Sequence, residues 1–238
     1  MRHRRQDRPL LSRRFRHRSI ERSRIDDRSG ARRVLVADLA ENEGIQTVAD
    51  RLSQGDVDVL VNNAGAGGYA PLATVTPEMV SQLWTLNAAA PLLLSRAILP
   101  RLLERGSGGT INVASLLAFS AGQRAPYLPA RAIYASAKAG IVALSRLLAG
   151  EVAGTGVQVT LVCPGRVQTE FAEGAARSDP QAMTADDVAV AAWGAFSRGE
   201  SVCIPALGNA NDLQDLAAVE LGLLEGGNRP SLNARYRT

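Results

Sequence analysis

The sequence predicts a single α/β domain built on a doubly wound parallel sheet. Short, nearly continuous apolar runs alternate along the chain with longer stretches in which apolar residues recur at helical spacing. Strands that are apolar on both faces are typical of a parallel sheet covered by helices on both sides. Size agrees with this prediction, since 238 residues, 46% of them hydrophobic, are enough for one domain with its own core.

The predicted elements follow one another in order. The strands are the apolar runs at 34–37, 57–61, 110–114, 157–163 and 202–204, and the helices are the periodic stretches at 41–54, 77–105, 134–153, 185–198 and 210–225. Both cysteines, Cys163 and Cys203, fall in predicted strands, so we expect buried, reduced thiols and a cytoplasmic protein. No apolar run approaches the roughly 18 residues of a membrane span, so we predict none.

The N-terminal segment differs from the rest in composition. Residues 1–33 hold 13 arginines against four acidic residues, although the whole chain has a net charge of only +4. The few apolar residues of this segment cannot offset the entropy cost of ordering its backbone. We therefore predict a disordered segment at 1–32 and a folded domain at 33–238. The chain's two histidines, His3 and His17, both lie in this segment. We therefore predict no histidine-rich metal site.

Small hydrogen-bonding residues follow the predicted strands. Ligands of open parallel sheets bind beyond the carboxyl ends of the strands, which here are followed by Asp38, Asn62-Asn63-Ala64-Gly65, Ser115 and residues 164–169. Asparagine and glycine allow a tight turn and bring amide groups close to a planar ligand. The alternative is that these residues only end the strands.

The strongest local signal is Tyr134-Ala135-Ser136-Ala137-Lys138 at the start of a long predicted helix. Residues four apart share a helical face, and a nearby ammonium lowers a tyrosine pKa, so this phenol could serve as a general acid or base. Spacing alone leaves open a surface pair on an amphipathic helix. The pair nevertheless uses the single lysine of the chain.

Together these motifs resemble the short-chain dehydrogenase/reductase family, over about residues 33–205. The matching residues, in the family's order, are Asp38, Asn62-Asn63-Ala64-Gly65, Leu86-Asn87, Asn112-Val113-Ala114-Ser115, Tyr134 with Lys138, and Pro164-Gly165 through Thr169. The later Asp187-Val188-Ala189 and Ile204-Pro205 resemble a bacterial reductase-like branch.

The resemblance implies a Rossmann-like domain that transfers hydride between a nicotinamide cofactor and a carbonyl compound or alcohol. By the same resemblance Tyr134 exchanges a proton with the substrate oxygen and Ser115 holds that oxygen. Lys138 lowers the tyrosine pKa and binds the nicotinamide ribose, and Asn87 positions a proton-relaying water. The implied cofactor contacts are Asp38, Asn63, Ala64, Gly65, Tyr134, Lys138, Val167 and Thr169.

The cofactor is NADP or NAD, and the branch resemblance favours NADP. Segments 66–75, 116–132 and 170–183 would shape the substrate site; they are small and apolar with few charges, so we expect a small uncharged substrate. The resemblance also implies a homodimer or homotetramer. The arginine-rich segment could neutralise phosphates, but no base-reading module accompanies it, so we predict no nucleic-acid partner.

Two features depart from the family pattern. Ser115 lies 19 positions before Tyr134, a longer separation than is usual, with the extra residues in the loop-like stretch 122–129. Tyr127 stands at the more usual distance, but Arg131 rather than lysine follows it four positions later, so we retain Tyr134. The family's first strand, glycine-rich phosphate turn, first helix and second strand are also not readable in the sequence.

A frame error would explain the missing motif. One set of synonymous codons for Arg13-Arg14-Phe15-Arg16-His17-Arg18-Ser19 encodes Gly-Ala-Ser-Gly-Ile-Gly when shifted by one base. Residues 1–32 are on this hypothesis an out-of-frame translation of the true start. The alternative function is a pseudoenzyme or truncated relic that no longer binds cofactor.

Overall fold

The computed structural model describes residues 34–171, 178–209 and 211–237. The predicted disordered segment 1–32, and the question of a missing first strand and helix, lie outside these residues. Residues 34–37 belong to one compact unit of the chain and residues from Asp38 onward to a second. The site predicted from the sequence lies in the second unit.

Four parallel strands form the central sheet. They are β1 (Val59–Asn62), β2 (Gly109–Val113), β3 (Gln158–Val162) and β6 (Val202–Cys203), in the order β1-β2-β3-β6. Asn62 pairs with Asn112, and Val113 pairs with Val162, so the strands end close to one level. A separate two-stranded parallel ladder joins β4 (Val167–Gln168) to β5 (Met183–Thr184).

Six α-helices accompany the strands in the described residues. They are α1 (Asn42–Leu52), α2 (Pro77–Trp84), α3 (Ala90–Arg105), α4 (Ala132–Glu151), α5 (Ala185–Ser197) and α6 (Asn211–Gly227). A five-residue π-helical turn, Thr85–Ala89, links α2 to α3 without a break. The α3 helix ends at Gly106, whose φ of 67° is the left-handed conformation that glycine adopts most readily.

Helices cover the sheet on both faces. Leu60 and Val159 point toward a core formed with α1, α3 and α4. Ile111 and Val162 point the other way, toward Ala195 and the rest of the buried face of α5. This alternation is the one expected of a parallel sheet between two helical layers, so the predicted doubly wound α/β fold is confirmed.

Two predictions about secondary structure need correction. The apolar run 34–37 has no regular secondary structure, and Val34 is 70% exposed. A strand requires hydrogen-bonded neighbours, and the described sheet does not include this run. The sequence analysis also missed β4 and β5, which are too short to show a periodic pattern.

Two helical stretches, Pro77–Arg105 and Ala132–Glu151, have the length and apolar composition of membrane spans. Length and composition do not separate such a span from a core helix. Here α3 contacts β1 and β2, and α4 contacts β2 and β3. We therefore interpret both stretches as helices that cover the sheet.

A buried polar network ties two strands to two helices. The Asn62 side-chain amide donates to Asn112 Oδ1 at 2.8 Å and to Ser95 Oγ of α3 at 3.1 Å. The Asn112 amide donates in turn to Ser145 Oγ of α4 at 3.0 Å. All four side chains are buried. Since buried polar groups are costly without partners, the network fixes α3 and α4 relative to the strand ends.

Substitution of Asn112 tests this network. Asn112→Ala removes two hydrogen bonds from this buried network, which we expect to lower the free energy of unfolding by about 2–3 kcal/mol. Urea unfolding followed by circular dichroism measures the change. The matched control is Asn63→Ala, at an exposed position, for which we expect a change within about 0.5 kcal/mol. Equal effects of the two substitutions would contradict the assigned role.

Candidate functional site

The ends of three adjacent strands bring the predicted site residues to one edge of the sheet. Asn63 to Gly65 follow β1, Ser115 follows β2, and residues 164–169 follow β3. The backbone N–H of Leu116 donates to the Pro164 carbonyl at 2.9 Å, which joins two of these loops. The site therefore lies where ligands bind in open parallel sheets.

Tyr134 and Lys138 lie on one buried face of the first turns of α4. The two side chains are 5% and 3% exposed, and Lys138 Nζ lies 6.0 Å from the centroid of the Tyr134 ring. The alternative of an exposed surface pair is therefore excluded. Tyr127 is 84% exposed, so the structure favours Tyr134 over Tyr127 as the site tyrosine.

The phenol of Tyr134 is held in its neutral form. Burial raises its pKa above the ordinary value of a tyrosine, and the neighbouring Tyr69 raises it further, whereas the interaction with the Ser115 hydroxyl lowers it. Lys138 is not among the groups that shift this pKa, so the lowering of the tyrosine pKa by Lys138 stays a prediction.

Lys138 is bound to the end of β2. Its Nζ donates to the Val113 carbonyl at 2.9 Å. Burial lowers its pKa to about 8, while Cys163 opposes this shift. An ammonium in this position is close to losing its proton near neutral pH, which suits a group that passes protons.

Asn87 and Gly65 complete the inner wall of the site. The Asn87 side chain accepts from the Ala66 N–H at 3.1 Å and donates to the Ala66 and Leu83 carbonyls, each at 3.0 Å. These bonds anchor the loop after β1 from within the π-helical turn, a feature often found at functional sites. A Cβ on Gly65 would lie 2.9 Å from Asn87 Oδ1 and 3.4 Å from Lys138 Nζ, so glycine permits this close approach.

Ser115 occupies the opposite wall. Its Oγ accepts from the Leu117 N–H at 3.2 Å and so caps the short 3-10 helix Leu116–Phe119. The same hydroxyl interacts with the Tyr134 phenol. The structure thus brings Ser115, Tyr134 and Lys138 together, as the sequence predicts.

An apolar cleft of 130 Å³ opens beside the end of β1. It is lined by Leu39, Val48, Leu60, Val61, Asn62, Asn63, Ala64, Leu86, Ala90, Pro91 and Leu94. The predicted cofactor residues Asn63 and Ala64 are part of this wall, and Asp38 adjoins it next to Leu39. The Asp38 carboxylate accepts a hydrogen bond from the Ala40 N–H at 2.9 Å and so stabilises a turn within its own loop.

The remaining predicted cofactor residues, Val167 and Thr169, are half-buried on the segment after β3. Val167 pairs with Met183 in the small ladder, and Thr169 Oγ1 accepts from the Phe171 N–H at 3.2 Å. Among the residues that the structure describes, no group of three His, Cys, Asp or Glu side chains is arranged to hold a metal ion.

Two aromatic residues lie beside Tyr134, in the segments 66–75 and 170–183 that are predicted to shape the substrate site, but the sequence pattern does not single them out. The Tyr69 ring lies 5.2 Å from the Tyr134 ring, edge to face, and the Phe171 ring lies 5.9 Å from it. Both residues are more than one-third exposed, so they can contact a ligand as well as Tyr134. Tyr69 comes from a loop and Phe171 is a helical residue close to the end of β4, and neither belongs to a periodic pattern in the sequence.

Known proteins share the sequence pattern of this site. The family model described as short chain dehydrogenase matches residues 20–179. A 1-deoxy-11-beta-hydroxypentalenate dehydrogenase of Streptomyces exfoliatus is 37% identical over 171 residues, which cover 68% of this chain and 60% of that protein. The chain spans 60–62% of the length of this relative and of two others of the same name.

Solved structures share the fold. The bulky-bulky ketone specific alcohol dehydrogenase from Comamonas testosteroni has a TM-score of 0.75 and 28% identity, with 85% of this chain and 77% of that chain covered. A short-chain dehydrogenase from Sphingobium yanoikuyae in complex with NADPH has a TM-score of 0.76 and 30% identity, with 84% and 78% covered.

The burial of Lys138 predicts a pH-dependent stability. Below pH 8 the folded protein holds a buried cation, which costs free energy; between pH 8 and 10.5 the folded protein releases its proton before the unfolded chain does, so this cost declines. Lys138→Met removes the charge and keeps the shape. We expect it to raise the free energy of unfolding at pH 7 by at most about 3 kcal/mol, offset in part by the lost hydrogen bond.

Urea unfolding of wild type and Lys138→Met between pH 6.5 and 10.5 measures this difference. We expect the advantage of the variant to shrink steadily above pH 8. A difference that does not change with pH would show that Lys138 acts on stability through packing rather than through its charge.

Proposed function

This chain belongs to the short-chain dehydrogenase family, and we propose that it is an NAD(P)-dependent oxidoreductase that transfers hydride between the nicotinamide and a small uncharged carbonyl compound or alcohol. The observation that supports the proposal most directly is the meeting of Tyr134, Ser115 and Lys138 at the carboxyl edge of the sheet. A phenol, a hydroxyl and an ammonium in one buried corner are a proton donor, an oxygen-binding group and a proton relay.

The proton chemistry follows from the surroundings of Tyr134. Because burial keeps its phenol neutral at physiological pH, Tyr134 is a proton donor toward a carbonyl oxygen. The Ser115 hydroxyl, which faces the same phenol, orients that oxygen. Lys138, whose Nζ lies 6.0 Å from the centroid of the Tyr134 ring and whose pKa is about 8, is the proposed source of the proton that restores the phenol.

The residues present fit a nicotinamide cofactor. When bound, such a cofactor supplies or accepts the hydride. Gly65 leaves open the space between Asn87 and Lys138 that a side chain would fill, and the apolar cleft beside Asn63 and Ala64 suits a flat ring. Asp38 at the cleft, and Val167 and Thr169 on the segment after β3, are the proposed outer contacts. The NADPH-bound relative supports a preference for NADP.

An uncharged, apolar substrate suits the walls around Tyr134. Tyr69 and Phe171 flank the phenol, and Leu116 is exposed beside Ser115. Relatives include proteins named 1-deoxy-11-beta-hydroxypentalenate dehydrogenase and bulky-bulky ketone specific alcohol dehydrogenase. These names support a ketone or secondary alcohol as the substrate. We propose further that the enzyme works in the cytoplasm as a homodimer or homotetramer.

Cofactor binding separates this proposal from a pseudoenzyme. We expect NADPH to bind saturably, quench protein fluorescence and raise the melting temperature, because a ligand that binds only the folded state stabilises it. Titration of the purified chain with NADPH and with NADH measures both effects. Unchanged fluorescence and melting temperature with both cofactors would support the alternative, a relic that has lost its cofactor.

Removal of the Tyr134 hydroxyl tests the proton donor. Tyr134→Phe should lower kcat for ketone reduction by about 10²–10⁴-fold, the usual contribution of a general acid. The matched control is Tyr127→Phe, which alters an exposed tyrosine nearby and should keep wild-type turnover. Acetophenone reduction followed at 340 nm measures both variants. Full turnover by Tyr134→Phe, or its loss in Tyr127→Phe, would refute the assignment.

A further inference from the structure

The long segment between Ser115 and Tyr134 is held together by one side chain. Residues 121–130 form no helix or strand and are mostly exposed. The Arg131 guanidinium reaches back into this segment and donates four hydrogen bonds. Its acceptors are Ser120 Oγ at 2.6 Å, the Ser120 carbonyl at 2.9 Å, the Gln123 carbonyl at 3.0 Å and the Pro129 carbonyl at 3.1 Å.

Ser120 connects this side chain to the catalytic serine. The Ser120 hydroxyl donates to the Leu117 carbonyl at 2.7 Å, and the Leu117 N–H donates to Ser115 Oγ. Ser120 is also the residue at which the 3-10 helix begun by Ser115 ends. A continuous series of hydrogen bonds therefore runs from Arg131 to Ser115.

The backbone of Arg131 connects it equally closely to Tyr134. Its carbonyl accepts from the Ala135 N–H at 2.7 Å and so makes the first hydrogen bond of α4. Tyr134 lies one residue earlier in the same turn. The side chain of Arg131 thus contacts the segment that carries Ser115, and its main chain forms part of the helical turn that carries Tyr134.

We propose that Arg131 is a positioning residue that fixes the Ser115 hydroxyl against the Tyr134 phenol across the extended loop. The inference builds on the proposed function, because it assigns a role to Arg131 in that same site. The interaction depends on the shape of the guanidinium rather than on its charge, since all four acceptors are neutral oxygens. A planar guanidinium spreads five N–H donors over three nitrogens and so reaches acceptors on both sides of the loop, whereas an ammonium directs its three N–H donors from one nitrogen.

Arg131→Lys therefore tests the proposal, because it keeps the charge and removes the fork. The chain contains four tyrosines, so a protein labelled with ¹³C at tyrosine Cζ gives a simple NMR spectrum in which Tyr134→Phe identifies the Tyr134 signal. Ser115→Ala then gives the shift of the Tyr134 signal that follows loss of the serine contact. We expect Arg131→Lys to move the signal in the same direction, by at least half as much.

The matched control is Arg124→Lys, at an exposed position in the same loop, which should leave the Tyr134 signal unchanged. A Tyr134 signal at its wild-type position in Arg131→Lys would overturn the proposal, even if the variant melts at a lower temperature. So would an unchanged signal in Ser115→Ala. If Arg131→Lys does not fold, Ser120→Ala removes the hydroxyl that accepts from Arg131 and donates to the Leu117 carbonyl, and it should give a smaller shift in the same direction.

The NMR result does not depend on turnover, so it stands or falls separately from the proposed activity. Where acetophenone reduction with NADPH is measurable, Arg131→Lys should lower kcat by about 10–100-fold, because a shift of a reacting group by about 1 Å has an effect of this size. The KM for NADPH should stay within twofold. An unchanged kcat would contradict the positioning role. Absence of turnover in the wild type would refute the proposed function and leave the NMR test of Arg131 valid.

Discussion

Burying the Lys138 ammonium beside the Tyr134 phenol costs free energy, and groups at the strand ends must offset this cost. Desolvation favours the neutral form of both groups, so the pKa of Tyr134 rises and that of Lys138 falls. The surroundings supply compensation through the Val113 carbonyl and the Ser115 hydroxyl. Both compensating groups lie at or just after the end of β2, so the sheet places the groups that oppose the cost of burying Tyr134 and Lys138.

Much of the fold could be predicted because burial on two faces leaves a plain sequence pattern. The runs that became β1, β2, β3 and β6, and the helices around them, lie within a few residues of their predicted positions. The run 34–37 has the same composition but no strand, since strand formation depends on a partner that composition cannot reveal. The ladder of β4 and β5 joins segments too short for any period to appear.

The site was predictable only in part. Tyr134 and Lys138 could be found from their spacing on a helix, and Ser115 from its position after a strand. Tyr69, Phe171 and Arg131 could be placed only in segments expected to shape the substrate site, because none of them belongs to a periodic pattern from which its contacts could be predicted. The rise of the Tyr134 pKa through burial could not be predicted either, since spacing shows that two groups can meet but not how much water is excluded around them.

The buried network of Asn62, Ser95, Asn112 and Ser145 has a consequence for laboratory evolution of this protein. If one of these side chains is replaced alone, its neighbours lose a hydrogen-bond partner inside the core. If two bonded side chains are replaced together by apolar residues, the donor and the acceptor are removed at the same time. Their mutational effects are therefore non-additive. A library that randomises these four codons jointly can reach folded combinations that stepwise, single-site selection would discard at its first step.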